Sequence, residues 1–222
     1  MGNPGFVWSC RKGRIGMEKL VGFVGYECED IVLYLARIIT ALGKKVAVVD
    51  RTEQEMLLEV LEFGKEEETE VCEGEYYGIR VTDQGVSYEE YDIIIYLFGY
   101  RLIHPKLYEC EALIMVTDGV PAHASLLRKI GNWNRKQYLL IRNLVPMKHT
   151  EHYLALLANN EENYCEIPYD ENDIRMKYSL GSYSGDMIKQ LSKGMKKALL
   201  ILINFLSVGQ QECSIRKVMK QL

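Results

Sequence analysis

From Lys19 onward, short apolar runs alternate with segments of helical periodicity. Leu20–Val24 is a short apolar run, and the apolar residues of Asp30–Leu42 then recur close to the helical period. Lys45–Val49 is a second apolar run, rich in valine, as is typical of a strand buried on both faces. This order of strand, helix and strand predicts an α/β domain with a parallel sheet.

The rest of the chain continues the alternation. Glu53–Phe63 predicts an amphipathic helix that ends at Gly64. An antiparallel ribbon at the sheet edge is predicted over Tyr76–Thr82 and Gly85–Tyr88, with its turn at Asp83-Gln84-Gly85. Further strands are predicted at Tyr91–Phe98, Ala112–Val116, Gln137–Ile141 and Tyr164–Ile167. Further helices are predicted around Ala122–Ile130 and Glu151–Leu157 and, as one long helix, from about Gly185 to Leu206. Together these elements predict a single doubly wound, mainly parallel sheet of about six or seven strands, with helices on both faces.

Composition and charge narrow the classes of partner. A length of 222 residues fits one α/β domain, and no internal repeat or linker divides the chain. The formal net charge of -4 gives no overall attraction to nucleic acid, so we expect no nucleic-acid partner. The six cysteines lie far apart and form no Cys-x-x-Cys pair. Free thiols, rather than a disulfide or zinc framework, therefore predict a reducing cytoplasm.

The first sixteen residues are rich in glycine and lack the long apolar stretch of a secretory signal. We expect residues 1–16 to be an extension outside the core and residues 17–222 to form the domain. Arg11-Lys12-Gly13 can be encoded by a purine-rich string that resembles a bacterial ribosome-binding site, which favours Met17 as the true start. No apolar run is long enough to span a bilayer.

The loop after the first predicted strand reads Gly25-Tyr26-Glu27-Cys28-Glu29-Asp30. In a doubly wound fold this loop would hold a phosphate at the start of the following helix. A phosphate cradle needs several glycines, a lysine, and a Ser or Thr hydroxyl for magnesium. The loop has one glycine, no lysine and three carboxylates, and each carboxylate beside a phosphate costs about 4 kcal/mol at 4 Å and an effective dielectric of 20. The sequence therefore argues against tight ATP binding in the usual pose.

The segment Lys19–Gln54, and within it Ala41–Asp50, resembles the opening βαβ unit of the MinD/ParA family of P-loop ATPases. The resemblance places Cys28 at the position of the invariant Walker A lysine, and Glu29 and Asp30 at the positions of the two threonines. It implies a degenerate member of the family, without the residues that hold and hydrolyse ATP.

Two further catalytic positions of the family are altered. In Asp50-Arg51-Thr52-Glu53-Gln54 the first acid after the second strand is kept and the second is replaced by Thr52. In the run Tyr91–Leu97, Leu97 stands where the family has its Walker B aspartate. The loss of three elements together implies that the chain has no catalytic residues and no resident metal.

Downstream strands keep the family pattern. Ala112–Thr117 resembles the next strand, Leu140–Asn143 resembles the strand that ends in an adenine-contacting Asn, and Ile167–Asp170 resembles the Ile-Pro-x-Asp turn. The resemblance, which extends over about Lys19–Leu206, implies a vestigial nucleotide site. Its residues would be Gly25, Cys28, Glu29, Asp30, Asp50, Asn143, Pro168 and Asp170. Turn residues at strand ends are the other, favoured interpretation of Asn143, Pro168 and Asp170.

The resemblance implies a non-hydrolysing pseudo-ATPase that acts through protein contacts and binds no cofactor. Its partner would be a second copy or an active relative, in bacterial positioning, pilus or secretion machinery. The alternative is a residual nucleotide binder or slow ATPase, in which Asp50 holds magnesium and Asn143 contacts the base of ATP.

Four local features keep two interpretations each. Cys28 is either a reactive thiolate at a helix start or an inert thiol. His149 and His152, three residues apart at a predicted helix start, are either metal ligands or residues with no metal role. The acidic run Glu66–Glu70 is either a solvated turn or a partner surface. Lys189–Leu206 is either a packed terminal helix or, as in MinD proteins, a peripheral membrane contact.

Overall fold

The computed structural model describes residues 19–53, 56–62, 73–130, 135–145, 150–160, 162–181, 187–209 and 211–222. The strands are β1 Leu20–Gly25, β2 Val46–Asp50, β3 Glu73–Tyr76, β4 Ile79–Thr82, β5 Ile93–Gly99, β6 Ala112–Thr117, β7 Lys136–Leu144 and β8 Tyr164–Pro168. The helices are α1 Glu29–Ala41, α2 Met56–Glu62, α3 Pro121–Leu127, α4 Thr150–Leu157, α5 Glu171–Tyr178, α6 Met187–Gln190, α7 Lys193–Phe205 and α8 Glu212–Gln221. Short 3-10 helices span Pro105–Glu109 and Arg128–Ile130. The predicted extension 1–16, Met17, the acidic run 66–70 and His149 lie outside the described residues.

The sheet runs in the order β3-β4-β2-β5-β1-β6-β7-β8, and among the described strands only β3 is antiparallel to its neighbour. Alternate side chains of each strand point to opposite faces. Val21, Phe23 and Ile95 pack with α1, α7 and α8 on one face, while Val24 and Ile94 pack with α3 and α4 on the other. The predicted doubly wound, mainly parallel α/β fold is confirmed.

The predicted edge ribbon is present, but its turn was placed wrongly. The hairpin joins β3 and β4 through Tyr77-Gly78, with φ angles of 51° and 77°, rather than through residues 83–85. A two-residue turn with positive φ at both positions matches the twist of paired strands, and Gly78 adopts it without strain. Residues 85–88 form no strand.

The long helix predicted up to Leu206 is interrupted. Its described part consists of α6 and α7, which are separated at Leu191 and Ser192. The buried Asp173 carboxylate accepts hydrogen bonds from the Ser192 backbone N–H at 2.7 Å and from its hydroxyl at 2.6 Å. The Ser192 hydroxyl in turn accepts a hydrogen bond from the backbone N–H of Met195 at 3.0 Å, so that α7 begins with its own N-cap.

Helices α5 and α8 were not predicted. The segment after Leu206 reads as polar, yet α8 buries Ile215 and Met219, which are four residues apart on one face. In α5, Asp170 is the N-cap and accepts a hydrogen bond from the backbone N–H of Asn172 at 2.9 Å. Both helices pack in the layer that contains α1 and α7.

Candidate functional site

The loop between β1 and α1 lies at the centre of the carboxyl edge of the sheet, because β1 is flanked by β5 and β6. Ligands of doubly wound sheets bind in the crevice at such a position. Gly25 has a φ of 115°, and a Cβ there would lie 1.9 Å from the carbonyl oxygen of Val116. The next backbone N–H, of Tyr26, donates to that same oxygen at 2.9 Å. The loop therefore begins with a backbone contact to β6 that only glycine allows.

A buried ion pair fills the start of α1. Asp30 and Arg142 both have fully buried side chains. The two guanidinium nitrogens Nη1 and Nη2 of Arg142 each donate to one carboxylate oxygen of Asp30 at 2.8 Å. This is the bidentate geometry in which arginine binds a carboxylate most strongly. The pair ties the end of β7 to the first turn of α1.

The same guanidinium also reaches the loop backbone, since Nη1 of Arg142 donates to the carbonyl oxygen of Glu27. Glu27 adopts a φ of 45°, in the left-handed region. Burial disfavours a charged guanidinium, but the Asp30 carboxylate outweighs that cost and raises the pKa of Arg142. The positive charge at this loop thus comes from Arg142 on β7, and the Asp30 carboxylate already neutralises it.

The other two acids of the loop, Glu27 and Glu29, and its thiol have shifted pKa values. Burial alone would raise the pKa of Glu27, but Lys177, whose Nζ lies 2.5 Å from its Oε2, lowers that pKa. Burial raises the pKa of Glu29. Burial and the charge of Glu29 raise the pKa of the Cys28 thiol well above its ordinary value. A thiol that is buried and protonated is a poor nucleophile, which disfavours the reactive interpretation of Cys28.

Asp50, at the end of β2, is buried and is used by its own loop. One carboxylate oxygen accepts from the backbone N–H of Thr52 at 2.9 Å and from its hydroxyl at 2.7 Å. The other accepts from the backbone N–H of Leu57, in the first turn of α2, at 2.7 Å. Leu97, beside Asp50 on β5, is fully buried in the apolar core. The described contacts of Asp50 are therefore those of a turn and a helix cap.

Aromatic side chains stand next to the loop. The ring of Tyr26 stacks on His123 with centroids 4.8 Å apart, and Tyr100, after β5, lies 6.2 Å from the same imidazole. Nδ1 of His123 lies 2.8 Å from a carboxylate oxygen of Asp118, the residue after β6. Burial and Glu27 raise the pKa of Tyr26, and burial and Asp118 raise that of Tyr100. The neutral phenols and the imidazole cover the flank of the loop.

Asn143 and Pro168 lie at the ends of the outer strands β7 and β8, and Asp170 follows β8. Asn143 has a φ of 55° where the pairing of β7 with β8 shifts register, a conformation that asparagine tolerates. Pro168 packs against α7 so closely that a Cβ on Gly194 would lie 2.9 Å from its Cδ. Asp170 caps α5. Each of the three has a local structural role, and a role in nucleotide binding stays a prediction.

The residues around the loop do not fit Mg-ATP. No lysine belongs to the loop, the carbonyl of Glu27 faces a guanidinium, and the Asp30–Arg142 pair is neutral. A triphosphate would add several negative charges next to Glu27 and Glu29. Over the ranges that the structure describes, no group of three or more His, Cys, Asp or Glu side chains could hold a metal ion.

Two residues that contact the loop, Arg142 and Lys177, were not predicted from the sequence. A signal existed for Arg142, because it interrupts the apolar run from Leu139 to Leu144, and a charge in a buried strand requires a partner. Its partner Asp30 is 112 residues away, and no local pattern identifies it. The contact of Lys177 with Glu27 depends on α5, which the sequence did not predict.

The sheet order and the two helical layers define the fold of the MinD/ParA-type P-loop ATPases. A McdA–ATP complex from Cyanothece is similar with a TM-score of 0.62 and 10% identity, over 88% of this chain and 99% of that chain. A chain of the MinC:MinD cell division protein complex from Aquifex aeolicus is similar with a TM-score of 0.56 and 10% identity, over 84% of this chain and 96% of that chain. A ParA family ATPase from Chlorobium tepidum TLS is similar with a TM-score of 0.53 and 15% identity, over 83% of this chain and 99% of that chain. No family model and no curated protein matches the sequence.

Proposed function

We propose that this protein is a non-hydrolysing pseudo-ATPase that acts through protein–protein contacts at the carboxyl edge of its sheet. Its partner is a second copy or an active relative, in bacterial positioning, pilus or secretion machinery in the cytoplasm. The similar MinD structure is a complex with a second protein, MinC. The similar McdA structure holds ATP, whereas the loop of this chain carries a neutral ion pair instead of a phosphate cradle.

The observation that carries the proposal is a set of exposed apolar side chains on the segments that follow the strands. Ile103, after β5, is 86% exposed, and Tyr178, at the end of α5, is 83% exposed. Further exposed apolar side chains also follow strands β5 to β8, namely Tyr100, Val120, Val145 and Tyr169. Exposed apolar surface of this kind marks protein interaction sites.

Sedimentation velocity over a range of protein concentrations tests this interface. We expect the wild type either to self-associate or, in a mixture with an active relative, to associate with that relative. The extent of association should be the same with and without Mg-ATP. Ile103→Asp should abolish the association, because it places a charge in an apolar contact. Leu156→Asp is the matched control, since Leu156 is an exposed aliphatic residue on α4, away from the carboxyl edge.

Association that requires Mg-ATP, or turnover of ATP by the wild type, would overturn the proposal in favour of the residual ATPase. Equal loss of association in both variants would reject the carboxyl edge as the interface. A wild type that stays monomeric both alone and with the active relative added would also contradict the proposal.

A further inference from the structure

A concave surface lies between α6, α7 and α8. It is a groove of about 810 Å³. It is lined by Lys189, Lys193, Lys196, Lys197, Leu200, Arg216, Met219 and Lys220. We call this surface the basic groove. Six of its eight residues are cations, in a chain whose net charge is -4.

The basic groove follows from two matched helix faces. Lys193, Lys196, Lys197 and Leu200 recur at the i, i+3, i+4 and i+7 positions of α7 and so share one face. Arg216, Met219 and Lys220 share a face of α8 in the same way. Leu200 and Met219 form an apolar floor between the cations. The aliphatic stems of the lysines extend this apolar surface up the walls.

Among the described residues, several of these cations have no carboxylate beside them. Arg216 pairs with Glu212 at 2.7 Å, and Nζ of Lys196 donates to the carbonyl oxygen of Lys189. Within the described ranges no carboxylate lies at ion-pair distance from Lys193, Lys197 or Lys220. Because like charges are held close together over a low-dielectric floor, an anionic ligand gains attraction there.

We propose that the basic groove binds an acidic amphipathic helix of a partner protein. Acidic side chains of that helix would pair with the lysines, and its apolar side chains at i, i+3 or i+4 would contact the floor between Leu200 and Met219. Concavity favours a peptide, since a flat bilayer would meet the lysine tips but not the floor. The phosphates of a nucleic acid would use the charges but not the apolar floor. The basic groove shares no residue with the carboxyl-edge interface proposed above.

Selection from a displayed library of random peptides, each about four helical turns long, tests the basic groove on the intact protein. We expect the wild type to enrich acidic amphipathic sequences. Fluorescence anisotropy with the most enriched peptide should then show at least about tenfold weaker binding to Lys193→Glu/Lys197→Glu. The control is Arg128→Glu/Lys129→Glu, which makes the same change of net charge at two exposed cations beside α3 and should bind like the wild type.

Circular dichroism establishes that each variant is folded, and Lys220→Glu replaces the double variant if the latter does not fold. The inference is overturned if no acidic sequence is enriched, or if both charge-reversed proteins lose binding equally. It is also overturned if phosphatidylglycerol vesicles or duplex DNA bind at lower concentrations than the peptide does, with the same dependence on Lys193 and Lys197. None of these readouts involves nucleotide or Ile103, so a failure here is distinguishable from a failure of the proposed function.

Discussion

The β1–α1 loop and the basic groove belong to the same side of the sheet but balance charge in opposite ways. Asp30 pairs with Arg142 and Glu27 pairs with Lys177, so two of the three acids of the loop are paired with cations from other elements. The basic groove contains six cations, of which Arg216 pairs with Glu212. The site where this fold commonly binds an anion is therefore closed by internal pairs, while an open cationic surface stands elsewhere.

The largest effect should come from the backbone contact that starts the loop. Gly25→Ala requires a Cβ 1.9 Å from the Val116 carbonyl oxygen at a φ of 115°, so we expect it to lower the free energy of unfolding by more than about 4 kcal/mol. Gly43→Ala is the control, because its φ is also positive, at 84°, but no atom lies within 4 Å of the added Cβ. It should cost about 1 kcal/mol. Urea unfolding measures both, and equal costs would contradict the tight contact.

A double-mutant cycle should separate the buried pair of the loop from the exposed pair of the groove. Asp30→Leu or Arg142→Met alone leaves a buried charge unpaired and should cost about 3 to 5 kcal/mol, whereas the double variant should recover most of that loss. The corresponding cycle on Glu212 and Arg216, an exposed pair, should show a coupling below about 1 kcal/mol. Additive costs at Asp30 and Arg142 would show that the pair does not hold the loop.

The smallest effect concerns two neighbouring acids whose pKa values move in opposite directions. The pKa of Glu27 is lowered in the folded protein, so its ionised form stabilises the fold above about pH 4.5, and this contribution is lost as the pH falls through the folded pKa. The pKa of Glu29 is raised, so its ionised form opposes folding at neutral pH, and acidification relieves that cost. Glu27→Gln should lower stability at pH 7, and Glu29→Gln should raise it.

Thermal unfolding between pH 3 and pH 7 measures both variants against the wild type. The Glu29 difference should shrink toward zero as the pH falls through the raised folded pKa to about 4.5. The Glu27 difference should shrink only below about pH 4.5, as the pH falls through the lowered folded pKa. Differences of the same sign at pH 7 would contradict the electrostatic contrast between the two side chains.

Local periodicity was sufficient to predict most of the sheet, and it failed where distant residues decide the structure. The strands around Val21, Val48 and Ile95 are continuous apolar runs, so their burial follows from the sequence. The break between α6 and α7 depends on Asp173, which lies 19 residues before Ser192 and competes for its backbone N–H. In α8, two buried apolar residues are enough for packing but too few for a clear helical pattern.

The candidate site was predicted less completely than the fold, for a related physical reason. That the loop carries Cys28 and no lysine is visible in the sequence, because it depends on residue identity within one loop. The arrival of the Arg142 guanidinium at this loop depends on a contact across 112 residues. Asp50 was recognised as an acid at the end of a strand, but its bond to the backbone of Leu57 requires the position of α2.

Thermal unfolding of the wild type in the presence of Mg-ATP, with magnesium alone as the reference, tests the central claim most directly. A ligand at about 100 times its dissociation constant adds roughly 2.7 kcal/mol to the stability of the protein that binds it. The closed, internally neutralised loop predicts no change of Tm with millimolar Mg-ATP, Mg-ADP or Mg-GTP. A saturable rise of Tm with any of the three nucleotides would contradict the account.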